Sequence, residues 1–194
     1  MLKVMLLSAS ARHESLNSKL AQAIRDRLSV RADIEVDEPG LALSSLPVYD
    51  GDLEQEQGVP NTARVLASRW AEADAVIICT PEYNGGIPGS LKNAIDWISR
   101  LKPHPIAGKW LLLTGASPGA LGAVRGLWHT RVPFEALGAM VYPEMFGLSL
   151  AHTVLGDGGE LKDASKSEQL ERLLSGFLSR VPTVVPVGLR VDLG

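Results

Sequence analysis

Residues 8 to 17 read SASARHESLN, and Ser8, Ser10, Arg12, Ser15 and Asn17 gather hydroxyls, a guanidinium and an amide in one short stretch. Leu16, Leu20, Ile24 and Leu28 then repeat every four residues, so the stretch lies at the start of a helix. Such donors around a helix N-terminus suit a phosphate, because unpaired N–H groups and the helix dipole both favour an anion. A plainer reading of the same residues is that Ser15 or Asn17 caps the helix and Arg12 is solvated. A second stretch, TPEYNGGIPGSLKNAIDW at 80–97, places a proline, a carboxylate, a phenol, an amide and two glycines between an apolar run and a helix. A loop of that composition exposes backbone N–H groups and lets a flat ligand come close. The third stretch, GASPGALGA at 115–123, is again glycine-rich and again follows an apolar run.

The elements that must position these loops alternate between strand-like and helix-like patterns, as in an α/β domain with a largely parallel sheet. LKVMLLS (2–8), DIEV (33–36), ADAVIIC (73–79), KWLLLT (109–114) and AMVYP (139–143) read as five strands. The nearly continuous apolar character of ADAVIIC suits a central strand covered on both faces. Helical spacing marks Ala63, Leu66, Ala67, Trp70 and Ala73, then Leu91, Ala94, Ile95, Ile98 and Leu101, and finally Leu170, Leu173, Leu174, Phe177, Leu178 and Val181. A helix running toward Leu137 contains Pro133, which is expected to kink or restart it. The pattern admits a flavodoxin-like or a dinucleotide-binding sheet. The first turn holds no glycine, and neither GxGxxG nor GxxxxGK[ST] occurs, which argues against the dinucleotide and P-loop readings.

Taken together, SxSxRxxSxN at 8–17, TPEYNGGIPGSLKNAIDW at 80–97 and GASPGALGA at 115–123 resemble the NADPH-dependent FMN reductase family in order, spacing and context. That family includes quinone, azo-dye and chromate reductases. The resemblance implies a flavodoxin-like three-layer α/β/α sandwich over residues 1–181, with a five-stranded parallel sheet in the order 2-1-3-4-5 and a C-terminal tail at 182–194. It implies FMN as cofactor, with Ser10, Arg12, Ser15 and Asn17 on the phosphate. Pro81, Glu82, Tyr83, Asn84 and Gly85 would border phosphate, ribityl chain and ring, with Ser117 and Gly119 at the ring's other polar edge. It also implies NADPH or NADH as electron donor, a small-molecule acceptor such as a quinone, an azo compound, chromate or free flavin, and a homodimer or homotetramer. Ala9 stands where the family usually has glycine, so the first turn is expected to be tighter or displaced.

Chemistry of this kind needs no catalytic side chain from the protein, which positions the cofactor and its partners. Another class is a flavodoxin-like electron carrier or flavin-binding regulatory protein. Carriers tend to be strongly acidic, whereas the formal charge here is −3. A third reading comes from GASPG, which matches GxSxG after a strand, the setting of a hydrolase nucleophile. Pro118 follows the serine and has no N–H to give an oxyanion. His13, His104, His129 and His152 are too scattered for a metal site, and the acidic run at 50–56 reads as a solvated loop.

The chain of 194 residues shows no composition shift and reads as one domain. Its near-neutral balance offers no basic face for nucleic acid. A single cysteine, Cys79, rules out an internal disulfide and suits a reducing compartment. The apolar part of the N-terminus, Val4 to Leu7, is too short for a signal peptide, and no segment approaches membrane-spanning length. The expected location is the cytoplasm.

Overall fold

The computed structural model describes residues 1–12 and 14–182. Its strands are β1 (Leu2–Ser8), β2 (Ile34–Asp37), β3 (Ala75–Cys79), β4 (Trp110–Ala116), β5 (Met140–Val141) and β6 (Phe146–Leu148). They form a parallel sheet in the order β2-β1-β3-β4-β5, with β6 also paired to β4. The helices are α1 (Leu16–Ser29), α2 (Gly51–Gln57), α3 (Asn61–Glu72), α4 (Gly89–Ile98), α5 (Val124–Ala136), α6 (Ala151–Val154) and α7 (Ala164–Leu178). Among the described residues no helix is long and apolar enough to cross a membrane. The proposed tail lies, from residue 183, outside the described residues.

Strand alternation produces two cores, one on each face of the sheet. Met5, Leu7, Val76, Ile78, Leu111 and Leu113 point to one side and pack with α3, α4 and α5. Val4, Leu6, Ala75, Ile77 and Leu112 point to the other and pack with α1 and α7. Every residue of β3 is buried, as its unbroken apolar run requires. Trp70 of α3 stacks on Phe134 of α5 with ring centroids 5.4 Å apart. Trp97 is buried in the same layer and donates its indole N–H to the Pro47 carbonyl at 2.7 Å.

Three expectations need correction. The fifth strand is shortened and followed by another: β5 pairs with Trp110 and Leu111, the Tyr142 N–H still donates to the Leu111 carbonyl at 2.8 Å, the chain leaves the ladder from Pro143, and β6 pairs with Thr114 to Ala116. Proline lacks the N–H that a continued strand would need there. The acidic run at 50–56 is mostly helix, capped by the Asp50 carboxylate, which accepts from the N–H groups of Asp52 and Leu53. Its Glu54 also pairs with Arg100 and accepts from the Tyr49 hydroxyl. Finally, α5 continues through Pro133 to Ala136. The proline sits near the helix end, and the fully buried Phe134 beside it anchors that turn.

Candidate functional site

Ser8, Cys79 and Thr114 lie side by side in register on β1, β3 and β4. The three loops singled out by the sequence therefore leave the sheet at one edge, at the carboxyl ends of central strands. The chain moves outward from β1 to β2 and returns to β3 on the other side of β1, which opens a crevice there. Ala9 extends the β1 ladder: its N–H donates to the Cys79 carbonyl at 2.9 Å and its methyl is buried in the core.

Above this edge lies a cleft of about 430 Å³ lined by Ser8, Ser10, Arg12, Ser18, Ser44 and Ser90, with residues 40–43 along one wall. It reaches the first turns of both α1 and α4, and α4 has no side-chain cap of its own. Hydroxyls, one guanidinium and the uncapped start of α4 are a donor set that fits a phosphate monoester. Ser44 and Ser90 were not expected. Ser90 could have been found from its place just after Pro88-Gly89 at a helix start, whereas nothing marks Ser44 within a long irregular stretch.

Two first-loop residues are already committed elsewhere. The Ser15 hydroxyl accepts from the N–H groups of Asn17 and Ser18, so the helix-cap reading describes its contacts. Asn17 is buried, donates its side-chain amide to the Ala116 carbonyl at 3.0 Å and accepts the Ala116 N–H at 2.9 Å. It thereby pins the start of α1 to the end of β4. Ser10 and Arg12 remain at the cleft, with the Arg12 N–H donated to the Ser10 hydroxyl at 3.3 Å.

In the second loop Tyr83 and Gly86 exchange backbone hydrogen bonds of 3.1 and 2.9 Å around Asn84 and Gly85, whose φ angles are 51° and 77°. Two consecutive left-handed residues make a type I′ turn, and Asn-Gly is the sequence such a turn favours. Tyr83 and Asn84 are exposed at its tip, while Pro81 is buried beneath it. Glu82 is turned toward α5. One carboxylate oxygen accepts from Arg125 Nε at 2.8 Å and the other from the Gly126 N–H at 3.0 Å. Burial alone would raise this carboxyl, but Arg125 and the Gly126 N–H outweigh it and hold it below the ordinary range.

The third loop is bound to the segment after β6. The Ser117 N–H donates to the Leu148 carbonyl, its carbonyl accepts from the Ala151 N–H, and its hydroxyl accepts the Gly119 N–H at 3.1 Å. Helix α5 begins only at Val124, so no sharp strand-to-helix elbow presents Ser117 as a nucleophile. Cys79 is fully buried, accepts from the Thr114 hydroxyl, and burial pushes its thiol up to about 12. It packs as a small apolar side chain.

The model of the family described as NADPH-dependent FMN reductase matches residues 2–153. A quinone reductase of Escherichia coli K12 is 39% identical over 179 residues, covering 91% of this chain and 93% of its own. An NAD(P)H-dependent FMN reductase of Pseudomonas aeruginosa is 32% identical over 178 residues, with the same 91% and 93% coverage. Among solved structures, the flavoenzyme FerB of Paracoccus denitrificans, an NAD(P)H:(acceptor) oxidoreductase, superposes with a TM-score of 0.81 at 28% identity, covering 93% of this chain and 97% of its own. With the phosphate-fitting cleft at the switch point and the three loops on one edge, the chain belongs to the NADPH-dependent FMN reductase family.

Proposed function

We propose that this chain, an FMN-dependent NAD(P)H oxidoreductase, uses quinones as acceptors and also takes other small acceptors such as azo compounds, chromate or free flavin. The carrying observation is the lateral register of Ser8, Cys79 and Thr114, which collects the three loops around one cleft. The quinone reductase of Escherichia coli supports the choice of acceptor. Bound FMN would supply the redox chemistry, linking a nicotinamide hydride donor to the acceptor.

The residues of the chain bind and orient. Ser10 and Arg12, joined by Ser44, Ser90 and the N–H groups at the uncapped start of α4, would hold the phosphate beside the first turn of α1. Ser15 and Asn17 serve the phosphate site indirectly, by fixing that turn. Pro81, Tyr83, Asn84 and Gly85 would line one edge of the ring, with the N–H groups of Asn84 and Gly85 as its donors, and Ser117 and Gly119 would border the other edge. Anaerobic addition of NADPH to FMN-loaded protein tests this reading. The flavin absorbance should bleach within the mixing time of a manual experiment and return on addition of benzoquinone. A flavin that stays oxidised would instead mark a carrier or binding protein.

Self-association belongs to the same proposal. Leu121, Trp128 and Val132 are more than half exposed around one helix, with Trp128 and Val132 one turn apart on α5. Such a face beside the second loop suits a homodimer or homotetramer. Trp97 is buried in the core and contributes nothing to this face. Sedimentation equilibrium at micromolar concentration should give a dimer or tetramer, and Trp128→Glu should shift it toward monomer. A fully active monomer would remove this part of the proposal. An NAD(P)H donor and a free thiol both suit the cytoplasm, which cell fractionation would check.

A further inference from the structure

We propose that Glu82 is a positioning residue: it uses α5 to hold the Tyr83–Gly86 turn where a bound flavin ring meets it, and does not itself touch the flavin. The inference rests on the reading that this turn borders the ring.

Both oxygens of the Glu82 carboxylate face α5. One accepts from Arg125 and the other from the Gly126 N–H, and the side chain is only 8% exposed. The Gly126 N–H belongs to the first turn of α5, where an α-helix has no internal partners for its donors. That helix lacks a cap of its own: the preceding residue, Ala123, is left-handed with φ 68° and makes no side-chain bond, and its first turn holds no acidic residue. The missing acid thus comes from the second loop, 44 residues earlier. A carboxylate there also meets the positive end of the helix dipole.

The fit between loop and helix depends on a missing side chain. A Cβ on Gly126 would lie 2.9 Å from the Glu82 Cβ, 3.0 Å from its Cα and 3.1 Å from the Gly86 carbonyl oxygen. The backbone of α5 therefore rests directly on the loop. The same helix face continues beneath the turn: a Cβ on Gly86 would be 3.5 Å from His129 Nδ1, and one on Gly85 would be 3.9 Å from Arg125. Only glycine at 126 permits this approach, and Glu82 locks it. A carboxylate placed against the ring would oppose the negative charge of a reduced flavin. Turning it onto α5 leaves the turn's N–H groups as the polar surface at that edge.

The test compares dissociation constants of FMN and riboflavin for apoprotein of the wild type, Glu82→Gln, Gly126→Ala and Arg12→Ala, together with apoprotein Tm. Glu82→Gln should raise both constants by the same factor, on the order of tenfold, as expected for loss of one charge-assisted hydrogen bond. The visible band of bound FMN, measured at saturation, should shift as the ring edge loosens. Gly126→Ala should do the same with the carboxylate intact, and Glu82→Gln decides alone if that variant does not fold. Arg12→Ala should affect FMN only. Unchanged constants in Glu82→Gln, a loss confined to FMN, or a lower Tm with normal flavin binding would each overturn the proposal. Wild-type protein that binds neither flavin would instead defeat the underlying reading.

Discussion

Arg12 brings a guanidinium to the rim of the cleft, where its backbone is steadied by Ser10. Removing it should weaken FMN binding by about 1.5–3 kcal/mol, the range for a hydrogen bond to a charged group. Riboflavin, which lacks the phosphate, should bind as before, and titration of the two ligands separates phosphate recognition from a general loss of fold. Asn17 predicts a different outcome. Replacing it with alanine leaves the Ala116 N–H and carbonyl buried without partners, at a cost of about 1–3 kcal/mol in stability. Urea unfolding of the apoprotein should detect that loss before any flavin is added. The residue types of the first loop were legible in the sequence, because hydroxyls, an amide and a guanidinium crowd one helix start. Their division of labour was not. Whether Asn17 faces the ligand or Ala116 depends on a strand end 99 residues away.

At the scale of elements, the turn at Tyr83–Gly86 depends on left-handed backbone at Asn84 and Gly85. Gly85→Val should distort it, since a β-branched residue at φ 77° costs roughly 1–2 kcal/mol in backbone strain. No atom other than those of the exposed Arg125 lies within 4 Å of a Cβ placed there, so the damage should stay local. The expected result is reduced affinity for both flavins with a far-ultraviolet circular dichroism spectrum unchanged. Helices α1, α3, α4 and α7 were readable because each buries a stripe of apolar residues at helical spacing. Helix α2 was not, because none of its residues is buried and its cap and Glu54 contacts leave no apolar period. The shortening of the fifth strand was also hidden. AMVYP reads as one strand, and only pairing with β4 reveals that β6 takes over the second half of the register.

For the whole molecule, two cores flank one sheet, and the candidate cleft opens at the sheet's edge, at the rim of one of them. Apoprotein should therefore fold and gain stability on loading. At a free FMN concentration 100 times the dissociation constant, the gain is about 2.7 kcal/mol. For a domain of this length that corresponds to a rise in Tm of roughly 5–10 °C, measurable by calorimetry. An FMN-independent Tm would place the flavin away from the folded structure's own donors. The sheet order was legible only through the family resemblance, since periodicity identifies strands without saying which are neighbours.

The shortened fifth strand has a consequence for how the molecule behaves among copies of itself. One border of the sheet is β2, four residues long, and the other is made of β5 and β6, two and three residues long, with a proline between them. A strand of another chain seeking to add there would find a few hydrogen-bonding groups, then a gap, then a few more. Among the described residues, continuous cross-strand pairing, the route to ribbon-like aggregates, has no template of useful length on either side. The parallel sheet is thus blunted at both borders, and a crowded solution of this protein should resist fibril growth even when its flavin has been stripped.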